Sequence, residues 1–93
     1  MKGSDLISRN EALLTTEVDG ELLAMSIEKG ACYGLNAVGT TIWNLLATPR
    51  TVDALCVELV QQYDVVDAVC RAEVASFLDT MQREAMVAVM AGE

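Results

Sequence analysis

The chain has 93 residues, 53% of them hydrophobic, with fourteen acidic against six basic side chains and a net charge of −8. That length holds one compact domain with one core and is too short for two, and a single proline with six glycines argues against a disordered or low-complexity chain. No apolar run approaches the roughly 18 residues that cross a bilayer, and the amino-terminal MKGSDLISRNEALL lacks the apolar block of a signal peptide, so a cytoplasmic protein without membrane contact is expected.

In chain order, the first dozen residues mix charged and polar side chains without periodicity and read as a mobile lead-in or arm, so the ordered core is expected over about residues 12–90 of a single domain. From Ala12 to Val18 and from Glu21 to Glu28 the pattern is strand-like. The dipeptide between them, Asp19-Gly20, tolerates positive φ and suits a tight hairpin turn. If Val18 pairs with Glu21, Leu14 falls opposite Met25 and Thr16 opposite Leu23; that largely apolar face is expected to meet the helices. Lys29-Gly30 makes a second turn, and Ala31 to Leu35 forms the third strand of an antiparallel meander. In that order the third strand has a partner on one side only, and its other edge presents unpaired amides and carbonyls.

The stretch Gly30 to Leu46, GACYGLNAVGTTIWNLL, is where period-two patterning gives way to helical patterning. Asn36 caps a first helix over about Ala37 to Ala47, with Val38, Ile42, Leu45 and Leu46 on one face and Trp43 beside it. Gly39, Thr40 and Thr41 are indifferent helix formers, so packing must hold this helix. Thr48-Pro49-Arg50 ends it, because proline disfavours a helical residue before it. Thr51 caps a second helix whose apolar residues Val52, Leu55, Cys56, Leu59, Val60 and Tyr63 keep three-four spacing throughout. Asp67 is the expected cap of a third helix carrying Val69, Cys70, Val74, Phe77, Leu78, Met81 and Ala85. That stripe is wide enough to serve the core on one side and something outside the chain on the other. Met86 to Met90 is apolar and reads as a short strand or as an extension of the hydrophobic contact. The fold class is therefore α+β, a three-stranded antiparallel sheet followed by three helices in a winged helix-turn-helix-like arrangement.

Such a domain often binds DNA, but here Lys2, Arg9, Lys29, Arg50, Arg71 and Arg83 are scattered among fourteen acids. No basic stripe exists to neutralise phosphates, so a transcription regulator and nucleic-acid binding are disfavoured. The cysteines Cys32, Cys56 and Cys70 are odd in number and include no pair at metal-ligand or redox spacing, and two of them fall at apolar helical positions. With no histidine, the usual general base, the usual partner of a nucleophilic cysteine and the commonest zinc ligand are missing. A thiol enzyme using Cys32, a hydrolase and a metalloenzyme all start badly. No catalytic residue, metal site or cofactor is expected.

The run Gly30-Ala31-Cys32-Tyr33-Gly34-Leu35-Asn36, then Val38-Gly39 and Ile42-Trp43-Asn44-Leu45-Leu46, resembles the signature of the PqqD-like family, the RiPP recognition elements. Tyr63-Asp64 and Glu73-Val74-x-x-Phe77-Leu78 resemble it as well, and the likeness runs from about Ala12 to Val89. Two departures bear on groove shape more than on fold. Cys32 stands where relatives usually carry an aromatic residue, and Glu84-Ala85-Met86-Val87 replaces the glycine-leucine that commonly closes the last helix. The resemblance implies a non-catalytic adaptor that binds the leader segment of a ribosomally made precursor peptide and presents it to maturation enzymes. A lasso peptide pathway is favoured, with a leader peptidase and an ATP-dependent cyclase as partners; a quinone-cofactor-pathway chaperone for a radical enzyme is the alternative.

The expected binding mode joins the open strand edge to the wide helical stripe. An extended peptide adds beside Ala31, Cys32, Tyr33, Gly34 and Leu35, and its alternate side chains meet a wall of Val74, Phe77, Leu78 and Met81. Each residue also has a plainer reading: Trp43 and Phe77 as packing residues, Asn36 as a cap, and Glu73 and Asp79 as a solvated face or as partners for a basic residue of the peptide.

Overall fold

The computed structural model describes residues 1–92 of the chain. Its strands are β1 (Leu6–Arg9), β2 (Leu14–Val18), β3 (Glu21–Ser26), β4 (Ala31–Leu35), β5 (Arg50–Thr51) and β6 (Val87–Met90). Its helices are α1 (Ala37–Leu45), α2 (Val52–Gln62) and α3 (Asp67–Arg83). The strands form two antiparallel sheets, one in the order β2-β3-β4 and one in the order β5-β1-β6.

The meander follows the expected register, with Val18 opposite Glu21, Thr16 opposite Leu23 and Leu14 opposite Met25. Asp19 and Gly20 both carry positive φ, 55° and 80°, which matches the twist that a two-residue hairpin requires. The face that meets the helices is the other one. Leu14, Leu23 and Met25 are 51%, 38% and 42% exposed, whereas Leu22, Ala24 and Leu35 are buried. Both faces of β3 are apolar, so alternation alone does not choose between them. The choice is made by α1, whose buried Thr40 accepts a hydrogen bond at Oγ1 from the Leu22 amide (2.9 Å) and donates to the Leu35 carbonyl (3.3 Å). One hydroxyl thus pins the helix to the neighbouring strands β3 and β4.

The amino-terminal segment, expected as a lead-in, is instead the central strand of the second sheet. Leu6 pairs with Thr51 on one side and Met90 on the other, and Ile7 is completely buried. The ends of the chain are tied together by Asp5, whose carboxylate accepts the amides of Lys2 (2.8 Å) and Gly92 (3.0 Å). The Gly92 amide first, and then that of Lys2, hold this carboxyl below its ordinary pKa. Arg9 lies 5.5 Å from the Trp43 ring centroid and donates to the Trp43 carbonyl, which fastens β1 to α1. The carboxy-terminal apolar tail takes the strand form as β6.

Caps at Asn36 and Thr51 are as expected: their side chains accept the amides of Gly39 (2.9 Å) and Ala54 (3.1 Å). Asp67 is not a cap. Val66 occupies that position without a side-chain bond, and Asp67, in the first turn, accepts from Arg71 at 3.0 Å. The core gathers Ile42, Trp43 and Leu46 from the α1 region, Val52, Leu55, Cys56 and Leu59 from α2, and Cys70, Val74, Leu78 and Met81 from α3.

Leu59 is 2% exposed at the centre of this cluster. Leu59→Ala is expected to cost about 2–5 kcal/mol in urea unfolding, and Leu14→Ala, on the outer sheet face, under about 0.5 kcal/mol. Similar losses at both positions would show the buried face to be misassigned.

Candidate functional site

β4 is an edge strand: β3 pairs with it on one side, with Leu22 opposite Leu35 and Ser26 opposite Ala31, and among the described residues no strand pairs with its other side. Alternate amides therefore point to the free edge, either those of Ala31, Tyr33 and Leu35 or those of Cys32 and Gly34. The carboxy-terminal end of α3 approaches β4. From the middle of β4, Tyr33 Oη donates to Glu84 Oε2 (3.1 Å), and from the turn before the strand Lys29 Nζ donates to the Glu84 carbonyl (3.0 Å). Past its end, Phe77 lies on Gly39, where a β-carbon would sit 3.0 Å from the ring. Tyr33 and Glu84 thus join β4 to the carboxy-terminal end of α3, and Phe77 meets α1 beyond the end of the strand.

The sequence-predicted site residues divide in this frame. Ala31, Tyr33 and Leu35 face the helical side, with Leu35 buried; Cys32 and Gly34 are exposed on the outer face of the sheet. On α3, Val74, Leu78 and Met81 are buried in the core, and Phe77 is the half-buried side chain of the four. The wall presented toward β4 is therefore narrower than the stripe implied, because three of its four apolar residues are used in holding the helices together.

Sequence reasoning passed over a cavity of about 300 Å³ that opens where β4 ends. Asn36, Val38, Gly39, Ile42, Leu59, Tyr63, Val65, Cys70, Glu73, Val74 and Phe77 line it, from α1, the end of α2 and α3. The weak helix formers of α1 serve this region. Gly39 leaves room for Phe77, and Thr41 Oγ1 lies 3.0 Å from Tyr63 Oη, which steadies that ring at the cavity wall. A glycine and two threonines in a helix with apolar neighbours were the available signal, but their partners lie on other elements.

The remaining chemistry is sparse. Cys56 and Cys70 are buried free thiols, and burial pushes Cys56 above its ordinary pKa, away from the reactive thiolate; Cys32 lies on the outer sheet face. No group of three or more potential metal ligands comes together among the described residues. The cations of α3 are occupied: Arg71 pairs with Asp53 and Asp67, and Arg83 with Asp79. No helix among the described residues is long and apolar enough to cross a membrane.

Tyr33 reports on the contact between β4 and the end of α3. Desolvation first, and the Glu84 carboxylate second, raise its phenol above the ordinary value of 10.0. A phenol whose folded pKa is raised contributes stability below the unfolded value and loses it as pH rises through the folded one. Ultraviolet titration should therefore show a tyrosine ionising above about pH 10, and Glu84→Gln should lower that midpoint. An unchanged midpoint would mean that the contact does not hold in solution.

The sequence pattern of the family described as Coenzyme PQQ synthesis protein D (PqqD) matches residues 21–87, well over half of the chain. No curated protein matches. Among solved structures, TbiB1 in complex with the TbiA(beta) leader peptide is similar in fold, with a TM-score of 0.82 and 21% identity over 90% of this chain and 98% of that one.

Proposed function

Because the chain belongs to the PqqD family, we propose that it is a RiPP recognition element, a non-catalytic adaptor that binds the leader segment of a ribosomally made precursor peptide. The observation that carries this reading is the unpaired edge of β4 beside α3. An extended leader adds to that edge as a fourth strand, and its backbone satisfies the free amides and carbonyls with little demand on sequence. Side chains that alternate toward α3 meet Tyr33 and Phe77, with Val74, Leu78 and Met81 behind them as support. TbiB1, the structural relative, is a protein seen with a leader peptide bound, which supports this occupant over a nucleic acid. Charge supports it too: α3 carries Asp67, Glu73 and Asp79 against Arg71 and Arg83, both already paired, so it is poorly suited to phosphates.

Titration of a labelled leader peptide from the cognate precursor tests the mode. Phe77→Ala should weaken binding by about fivefold or more, the size expected for truncating an aromatic anchor. Of Cys32→Pro and Tyr33→Pro, the one whose amide faces the free edge should stay folded by circular dichroism and lose the peptide, and the other should also disturb the β3-β4 ladder. Added salt should weaken binding only modestly. Unchanged affinity in every folded variant would place the peptide elsewhere.

In the cell this adaptor would work in the cytoplasm and hand the precursor to separate enzymes. A lasso peptide pathway, with a leader peptidase and an ATP-dependent cyclase, is the reading we favour, and the TbiB1 fold likeness is compatible with it. The family's description favours a second reading, a peptide chaperone for a radical enzyme of the quinone cofactor pathway. With no histidine in the sequence and two of its three thiols buried, the purified protein is expected to show no cleavage, ligation or redox turnover by itself, yet to accelerate leader cleavage by a separate peptidase. Precursor cleavage by this chain alone would overturn the adaptor reading.

A further inference from the structure

Strand addition at β4 leaves the cavity beyond its end without a role. Asn36 follows Leu35 directly and lines that cavity, so a peptide paired along β4 has its next residues at the mouth. Inside, Val38, Ile42, Val65 and Val74 offer alkyl walls and Tyr63 and Phe77 offer rings. The lining holds one ionisable carboxylate, that of Glu73. Glu73 and Phe77 are four residues apart on α3 and so are neighbours on one helix face.

Glu73 is exposed and makes no ion pair or side-chain hydrogen bond among the described residues. The contrast with Glu84, beside Tyr33, is informative. There the chain supplies its own partners, the Tyr33 hydroxyl on the carboxylate and the Lys29 ammonium on the adjacent carbonyl. At Glu73 the nearest cation along α3, Arg71, is already divided between Asp53 and Asp67. An uncompensated carboxylate beside two aromatic rings, in a chain of net charge −8, gives the cavity mouth a negative potential.

We propose that this cavity selects a long cationic side chain, lysine or arginine, placed in the leader just beyond the segment that pairs with Leu35. This rests on the reading of the protein as a leader-binding adaptor. The alkyl stem packs along the valine, isoleucine and aromatic walls, and the charged head returns to the mouth to meet Glu73, the snorkelling arrangement that long basic side chains adopt at apolar surfaces with a wet rim. An apolar anchor would fill the same walls but gain nothing from the carboxylate. Backbone pairing at β4 then supplies affinity with little sequence preference, and the Glu73 cavity sets which precursor is taken.

The test is selection of a displayed library of random 14-residue peptides on the immobilised full-length chain, run in parallel on Glu73→Gln, Glu73→Asp and Glu73→Lys. The position is exposed, so these variants should fold, as circular dichroism will check. Wild type should enrich lysine or arginine at one fixed position by up to about fivefold over the unselected library, the range of a partly exposed ion pair. Glu73→Asp should keep that preference, Glu73→Gln should lose it, and Glu73→Lys should shift it toward aspartate or glutamate. Replacing the selected lysine by norleucine in one isolated peptide should weaken binding to wild type but not to Glu73→Gln. Enrichment of aromatic or aliphatic residues without a cation, or a basic preference that survives in Glu73→Gln, would overturn the proposal while leaving the adaptor reading intact. Failure of wild type to enrich any peptide would overturn both.

Discussion

The hydroxyl of Thr40 is the contact on which the arrangement of the site depends. It is 5% exposed, it accepts from the Leu22 amide and it donates to the Leu35 carbonyl, so a single buried side chain satisfies two backbone groups at the end of the sheet. A buried amide or carbonyl left without a partner is costly, on the order of 1–3 kcal/mol, and this bond is therefore a strong constraint on where α1 sits. With α1 held there, Gly39 lies under Phe77 and Thr41 beside Tyr63. Three residues that weaken the helix locally thus tie it to β3, β4, α3 and Tyr63, while Trp43 ties it to β1.

From that attachment follows the division of labour on α3. Cys70, Val74, Leu78 and Met81 turn into the core against α2, which leaves Glu73 exposed and Phe77 half-buried at the cavity and, just past the helix, Glu84 beside Tyr33. The core residues of α3 and its partly exposed ones thus form adjacent stripes of one helix. A core substitution such as Val74→Ala acts on fold and groove together, whereas Glu73 and Glu84 are exposed and can change with little effect on packing. The same separation holds on the strand, where Leu35 anchors and the free edge of β4 remains available.

The second sheet explains how so short a chain holds its ends. β1 pairs with both β5 and β6, Asp5 joins the amides of Lys2 and Gly92, and Arg9 stacks on Trp43. These contacts link residues far apart in sequence. They hold the second sheet against α2 and α3, and the β2-β3-β4 sheet keeps a free edge.

The local elements were legible in the sequence because their causes are local. Asp19-Gly20 set the hairpin and its register, Asn36 and Thr51 capped their helices, and the three-four spacing named Val52, Leu55, Cys56 and Leu59 on the buried face of α2, although Val60 of the same stripe is 37% exposed and Tyr63 half-buried. The GACYGLN run and the isoleucine-tryptophan that follows pointed to the family through residues at that same strand-to-helix junction. Tertiary structure decided what depends on partners distant in the chain. Leu6 to Arg9 has too few residues to show a period and becomes a strand only because β5 and β6 flank it. β3 is apolar on both faces, and only α1, through Thr40, selects the face bearing Leu22 and Ala24. The stripe of α3 shows that a helix face is apolar, but how much of it is left for a ligand is set by how closely α2 packs against it. The cavity bounded by Tyr63, Glu73 and Phe77 belongs to no single element, so no periodicity along the chain announces it.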